Sequence, residues 1–300
     1  MKKGYNTAFT FSNLAANKIP TSELVKIMND NGEKPDLLRF SGGSLSFKYD
    51  ISAKDYGDAK SNKHLNIINP KNYIHNFIEL IKGLKHTPKI IYCLNLHPFL
   101  VDKKYDTIEN CLLPLVFFKE SLGENSVETI ELGNELYLYF IKNIQLYIEL
   151  CEILIPKIRS IFPNALISVP TEGCISARGQ EWNKKVMSIK GIDGISPHHY
   201  LNDLKSADDV NEYIKKISFL INKKMEITNL KIICTEYGFE YTGLSLLDYS
   251  KEKEAIIISK MEANFEKLNY DTIIFHTLLM NKKSMWGKYI IEQNEICLRK

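Results

Sequence analysis

The sequence predicts a (β/α)8 TIM barrel, on three observations. Eight short β-rich apolar runs punctuate the 300 residues, segments with helical periodicity lie between them, and most of the runs are continuously apolar. Strands buried on both faces of a parallel sheet read this way, whereas a sheet with one wet face alternates. At this length, eight strands separated by helices favour a closed barrel over an open doubly wound sheet. No G-x-G-x-x-G follows the first run, which weakens a dinucleotide-binding fold further. No internal repeat, low-complexity tract or Pro/Gly-rich linker divides the chain, so one domain over residues 1–300 is expected.

In order, the runs are Tyr5–Phe11, Leu37–Phe40, Lys89–Leu94, Val127–Leu132, Ala165–Val169, Ile192–Ser196, Lys231–Thr235 and Thr272–Thr277. Leu24, Ile27 and Met28 mark a helix after the first, and Phe77, Ile78, Ile81 and Leu84 one before the third. Three-and-four spacing runs from Ile144 through Ile148, Cys151, Ile155 and Ile158 to Phe162, where Pro156 is expected to kink or restart the helix. Val210, Ile214, Ile217 and Ile221 follow the sixth strand, and Ile257, Met261, Phe265 and Leu268 the seventh. The long polar stretch from Ser41 to Pro70 reads as a binding loop over the barrel mouth. Lys288–Cys297 lacks amphipathic spacing, so the last helix is expected to be short or replaced, with no flanking β-sandwich.

At 44% hydrophobic and 25% charged, the chain has the composition of a soluble globular protein with material for a full core. The net charge of +3 is small and the lysines are dispersed, which argues against nucleic acid as a partner. No apolar stretch approaches the roughly 20 residues of a membrane span. The N-terminus, Met1-Lys2-Lys3-Gly4-Tyr5-Asn6-Thr7, lacks the apolar segment and cleavage site of a signal peptide. The expectation is a cytoplasmic protein as the chain stands, or a secreted or surface-associated one if a leader has been removed; no oligomeric state is specified. Cys93, Cys111, Cys151, Cys174, Cys234 and Cys297 form no C-x-x-C pair and read as buried reduced thiols, with no zinc site and no cofactor implied.

In a barrel of this type, chemistry sits at the C-terminal ends of the strands. The second run ends in Leu38-Arg39-Phe40-Ser41-Gly42-Gly43, the fourth in Leu132-Gly133-Asn134-Glu135, the sixth in Ser196-Pro197-His198-His199-Tyr200 and the seventh in Cys234-Thr235-Glu236-Tyr237-Gly238. Two carboxylates about 5–5.5 Å apart across such a mouth have a direct use: one attacks an anomeric carbon while the other protonates the leaving oxygen.

These motifs resemble a known group. Leu38-Arg39-Phe40-Ser41-Gly42-Gly43, Cys93-Leu94-Asn95, Glu131-Leu132-Gly133-Asn134-Glu135 and His198-His199-Tyr200 resemble barrel-strand motifs of the heparanase and β-glucuronidase family. Thr235-Glu236-Tyr237-Gly238 is closer to the β-xylosidase and α-L-iduronidase type of the same clan, clan A of the retaining glycoside hydrolases. The resemblance keeps chain order from about residue 5 to residue 280. It implies Glu135 as acid/base, Glu236 as nucleophile, Asn134 on the sugar 2-hydroxyl, Arg39 beneath the nucleophile, Tyr200 donating to it, and His198 lining the subsite near the acid. Leu136 stands where the clan usually has proline, and strand eight ends in His276-Thr277-Leu278-Leu279-Met280 without the clan's tryptophan, for which Trp286 is the substitute.

Plainer readings accompany several of these residues. Arg39 is alternatively a structural ion-pair partner, Asn95 a loop-backbone ligand and His97 a packing residue rather than subsite contacts. Tyr137 and Tyr139 read as packing, and Trp182 or Trp286 as stacking surfaces. His198 and His199 cannot readily chelate one ion, because neighbours on a strand face opposite ways, so no metal is expected. The function expected is retaining hydrolysis of an oligo- or polysaccharide, uronic-acid-containing glycans among the candidates. The alternative is a catalytically silent glycan-binding barrel serving adhesion or assembly.

Overall fold

A computed structural model describes residues 1–57, 63–102, 108–173, 177–200, 212, 215, 230–238, 251–281 and 287–298. The strands β1 (Lys2–Asn6), β2 (Leu37–Phe40), β3 (Lys89–Cys93), β4 (Val127–Glu131), β5 (Leu166–Thr171), β6 (Gly194–Tyr200), β7 (Lys231–Gly238) and β8 (Thr272–Phe275) form a closed barrel in sequence order. Every neighbouring pair is parallel, and β8 returns to β1. The fold is the (β/α)8 barrel that the sequence predicts.

The outer layer comprises α1 (Thr10–Ala16), α2 (Thr21–Asp30), α3 (Pro70–Gly83), α4 (His97–Asp102), α5 (Ile108–Leu122), α6 (Ile144–Ile161), α7 (Ala177–Val186) and α8 (Lys251–Lys267). The expected helices around Leu24, Phe77, Ile144 and Ile257 are α2, α3, α6 and α8. The helix expected from Val210 to Ile221 lies outside the described residues, apart from 212 and 215. Pro156 does not restart α6, which is one continuous helix. Periodicity did not mark α5, which carries Pro114 in its interior, or the largely polar α7.

Strand boundaries moved for a physical reason. The first run is a strand only over Lys2–Asn6; Phe9 takes a left-handed backbone (φ 60°) and Phe11 belongs to α1, packed edge-on against Tyr73 and Phe77. β6 and β7 extend past their apolar runs to Tyr200 and Gly238, because polar inward residues keep pairing up to the mouth. Tyr49, Tyr56, Leu65 and Ile68 tie the Ser41–Pro70 segment into the core, and a 3-10 turn covers Gly43–Phe47. After β8 the chain forms β9 (Leu279–Asn281), β10 (Tyr289–Glu292) and β11 (Glu295–Leu298), a small sheet in place of a final helix. Its hairpin turns through Gln293 and Asn294, both with positive φ, as a two-residue hairpin requires. No described helix is long and apolar enough to cross a membrane.

The alternation of strand residues sorts the interior into two compartments. Leu38, Phe40, Ile90, Tyr92, Ile130, Ile167, Val169, Ile195, Ile232 and Cys234 face the helices and join the main core. Leu37, Ile91, Ile233 and Ile274 point inward and pack with Leu166 as a separate apolar layer. Two residues beyond that layer on β2, β5, β7 and β8 the inward positions turn polar, level with Glu131 of β4: Arg39, Glu131, Ser168, Thr235 and His276 are all buried there. Ser196 on β6 is bonded to Ser168 across the same level. The apolar layer is therefore the floor on which a polar mouth stands. Truncating Ile233 to Ala opens a cavity in that floor and is expected to cost about 2–5 kcal/mol in urea unfolding. The exposed Ile256 on α8 is the control, with an effect of about 0.5 kcal/mol or less for its alanine variant.

Candidate active site

Glu236 reaches the mouth through an irregularity in β7. Ile232 pairs with Ile195 and Glu236 with His198, while Cys234 pairs with Ile273 and Tyr237 with Phe275. Over each stretch β7 uses one residue more than its neighbour, which defines a β-bulge. The extra residue lets Thr235 and Glu236, adjacent in sequence, both place side chains in the interior, where they reach Glu131 and Arg39 respectively. Without it, alternation would turn one of them outward.

The Glu236 carboxylate is buried and held from several sides. Its Oε1 accepts from Asn6 Nδ2 at 2.9 Å, from the Gly43 backbone N–H at 2.8 Å and from an Arg39 η nitrogen. Oε2 accepts the Tyr200 hydroxyl. The nearest nitrogens of His198 and His276 lie 3.6 and 3.7 Å from Oε2. Burial opposes ionisation, but the charges of His198 and Arg39 and the Tyr200 hydrogen bond outweigh it and hold the carboxyl far below the usual range. Burial and the facing carboxylates push the Tyr200 phenol up, so it stays a donor. Gly43 has a left-handed backbone (φ 61°) that aims its N–H at Oε1. A Cβ on Gly42 would sit 2.3 Å from Asn6 Oδ1 and 2.4 Å from Arg39, which explains the glycine pair after β2.

Arg39 ties this carboxylate to two other strands. Its guanidinium donates to Glu131 Oε2 from Nε at 2.9 Å and from Nη2 at 2.6 Å, to Asn134 Oδ1 at 2.8 Å, and to Glu236. Both Arg39 and Glu131 are fully buried. Burial alone would disfavour the guanidinium charge, yet Glu131 and Glu236 raise the Arg39 pKa further. Because Asn134 gives its oxygen to Arg39, its Nδ2 remains the donating end of that amide.

Glu135 ends the segment after β4 with a left-handed backbone (φ 42°), a conformation that costs a non-glycine residue on the order of 1–3 kcal/mol and recurs at functional sites. Its side chain is partly exposed, and Oε1 lies 3.0 Å from His198 Nδ1. The Tyr137 hydroxyl contacts the same oxygen at 3.4 Å. One carboxylate oxygen of Glu135, one of Glu236 and a nitrogen of His198 all lie within 4.8 Å of one another. These three side chains are close enough to hold a metal ion, although Arg39 and two further donors already occupy Glu236 Oε1.

Glu135, Glu236, Arg39, Asn134, His198 and Tyr200 thus converge in one cluster, and His276 joins it through Asn6, which donates to His276 Nδ1 at 2.9 Å. Asn95 does not join. Its Nδ2 donates to the Tyr49 carbonyl and its Oδ1 accepts the His97 N–H, so loop backbone uses both ends. The His97 ring sits between Phe47 and Phe140 in an aromatic cluster at the rim, beside an exposed Tyr139. Trp182 is no stacking surface; it is fully buried against Tyr147 and donates to the Pro170 carbonyl. Trp286 and Cys174 lie outside the described residues. Cys93, Cys111, Cys151, Cys234 and Cys297 are free thiols, and burial pushes Cys111 and Cys151 up to about 12. His198 and His199 face opposite ways, the latter toward Tyr270 and Phe265.

Three members of the cluster were not singled out from sequence: Asn6, Glu131 and Thr235. Glu131 sits four residues before Glu135 in a strand otherwise apolar at its end, and a buried acid there signals a partner. Asn6 and Thr235 have no comparable signal, since single polar residues at strand ends are common.

No protein-family model and no curated protein matches the chain. Solved structures do match in fold. The endo-1,4-β-D-mannanase of Thermotoga petrophila RKU-1 is 17% identical with a TM-score of 0.57, over 93% of this chain and 88% of that one. AbfB of Bifidobacterium longum, a family 51 α-L-arabinofuranosidase, is 12% identical with a TM-score of 0.60, over 93% of this chain and 63% of its own length. Cel5A of Thermotoga maritima, solved with cellobiose, is 13% identical with a TM-score of 0.53, over 96% and 92%. At these identities the likeness is one of fold: this chain shares the barrel on which those glycoside hydrolases are built.

Replacing Arg39 by Met strips two buried carboxylates of their partner and is expected to destabilise the protein by about 3–5 kcal/mol in chemical unfolding. Two of the shifted groups, Glu236 and His198, contribute pH dependences of opposite sign to unfolding. Glu236, depressed from 4.5, contributes stability that is present above that value and is lost as pH falls toward its folded pKa. His198, raised from 6.5, contributes stability that is present below that value and is lost as pH rises through its folded pKa. Glu236→Gln is expected to flatten the acid side of a stability–pH curve, and His198→Gln the side above 6.5. Curves parallel to the parent's would contradict these assignments.

Proposed function

We propose that the chain is a retaining glycoside hydrolase acting on an oligo- or polysaccharide. The observation that carries this reading is the approach of Glu135 and Glu236, whose nearest carboxylate oxygens lie within 4.8 Å at the C-terminal mouth of the barrel. Oxygens this close are compatible with a retaining pair, whose carboxyls stand about 5–5.5 Å apart. The resemblance of the strand-end motifs to clan A and the shared fold with the mannanase, arabinofuranosidase and Cel5A support the same class.

In this reading Glu236 attacks the anomeric carbon through Oε2. Arg39, Asn6 and Gly43 crowd Oε1, whereas among the described residues Oε2 has only the Tyr200 hydroxyl as a hydrogen-bond donor. Glu135 protonates the departing oxygen as the bond to C1 breaks, leaving a glycosyl ester on Glu236. Glu135, now a carboxylate, takes a proton from water, and the resulting hydroxide opens the ester with net retention. The Asn134 amide serves the sugar 2-hydroxyl, a contact that strengthens as positive charge develops at C1. Arg39 is not available to select a carboxylated sugar, since Glu131, Glu236 and Asn134 occupy its guanidinium.

Glu236→Gly is expected to lose at least about a thousandfold in kcat/KM on an activated aryl glycoside, equivalent to about 4 kcal/mol of transition-state stabilisation. Azide should rescue it, giving a glycosyl azide of inverted configuration. Retained turnover, or rescue without inversion, would remove Glu236 as nucleophile. Glycan binding without hydrolysis by the unaltered protein would favour the silent-barrel alternative. Chelation with EDTA is expected to leave turnover unchanged; a loss restored by a divalent ion would instead assign Glu135, His198 and Glu236 to a metal.

A further inference from the structure

Beside the proposed acid/base runs a hydrogen-bond chain that the hydrolytic steps leave unused. Glu131 Oε2 is saturated by the Arg39 guanidinium, and its Oε1 accepts the Thr235 hydroxyl at 2.9 Å. A threonine hydroxyl has one hydrogen. Thr235 donates it to Glu131, so toward His198 Nε2, 3.0 Å away, its oxygen can only accept. Nε2 must then carry a hydrogen. Glu131 itself is 3.9 Å from Nε2, too far to take that hydrogen directly, so the threonine is required.

We infer that Glu131 and Thr235 are positioning residues that lock His198 in its Nε2–H form, so that the Nδ1–Glu135 contact holds one proton for delivery to the leaving group. This rests on the retaining reading for its chemical use, although not for its geometry. With Nε2 committed, Nδ1 faces Glu135 Oε1 at 3.0 Å, and only a proton between them makes that contact attractive. Remove it and a nitrogen lone pair confronts a carboxylate. Other groups face the same ring: Glu236 at 3.6 Å from Nδ1, the Tyr200 ring edge-on at 6.3 Å, the Arg39 charge, and the neutral His276, whose pKa burial pushes down. Burial lowers the His198 pKa, but Glu236 and Glu135 raise it above the ordinary value, which agrees with a retained proton.

The chain then serves both halves of the reaction. In the first, the shared proton ends on the glycosidic oxygen as the C1–oxygen bond breaks and the Glu236–C1 bond forms. The Glu135 carboxylate that remains faces an unprotonated Nδ1. That repulsion is relieved when the pair takes a proton from water, whose hydroxide opens the ester and restores the starting state.

The test combines a spectroscopic and a kinetic reading. With 15N-histidine labelling, and His198→Gln to identify the signal, the neutral-pH spectrum of the unaltered protein should show Nε2 of His198 protonated. Thr235→Val should lose at least about tenfold in kcat/KM on a phenyl glycoside, which needs acid assistance, and less than about threefold on the dinitrophenyl glycoside, which does not. Its alkaline limb should move down by about one pH unit, and Thr235→Ser should restore both. Equal losses on the two leaving groups with an unmoved limb, or an Nδ1–H form with bare Nε2, would overturn the inference. If the unaltered protein turns over no aryl glycoside, the retaining reading fails, and the nitrogen spectrum still decides the hydrogen-bond chain.

Discussion

A single fully buried guanidinium organises the mouth of this barrel. Arg39 leaves β2 and meets Glu131 from β4 and Glu236 from β7, joining three strands through charge-assisted bonds. Stripping an arginine of water is costly, and replacing such an arrangement by apolar side chains is often neutral or stabilising. Its value therefore lies in what it fixes rather than in net stability. It fixes the Glu236 carboxylate as an ionised, oriented group and sets the donating end of the Asn134 amide.

The arrangement needs a dry floor and a strand irregularity. Leu37, Ile91, Ile233 and Ile274 seal the interior one layer below, so the polar groups above them find partners in one another. The β7 bulge then allows two adjacent residues to face inward, Glu236 toward Arg39 and Thr235 toward Glu131. One extra residue thus supplies both the carboxylate that Arg39 holds and the hydroxyl that bridges Glu131 and His198. Gly42 and Gly43 complete the cradle, the first by leaving room for Asn6 and Arg39, the second by presenting its N–H.

How much of this was legible in the sequence depended on where side chains point. The apolar runs at Leu37–Phe40 and Lys89–Leu94 gave the strands nearly residue for residue, since both faces of such a strand are buried. β6 and β7 were read short because His198, Tyr200 and Glu236 are polar yet inward, and hydrophobicity cannot announce a strand that faces a polar cluster. Arg39, Glu135, Glu236 and Tyr200 were found because motif order placed them at strand ends. Glu131 and Thr235 escaped because their importance comes from partners on other strands, which pairing and a bulge bring together. Asn95, open in sequence between a sugar contact and a loop-backbone ligand, is the latter because a loop turns it to the Tyr49 carbonyl.

The proposed double displacement requires Glu236 to form a covalent bond to sugar while Glu135 manages the proton. The most direct measurement is intact-protein and peptide mass spectrometry after reaction with activated 2-deoxy-2-fluoro glycosides, which slow the second step more than the first. A single added fluoroglycosyl unit, located on the peptide containing Glu236 and lost on transfer to an acceptor, is the predicted result. Turnover of the matching glycosides with no adduct, or an adduct on another side chain, would contradict the account.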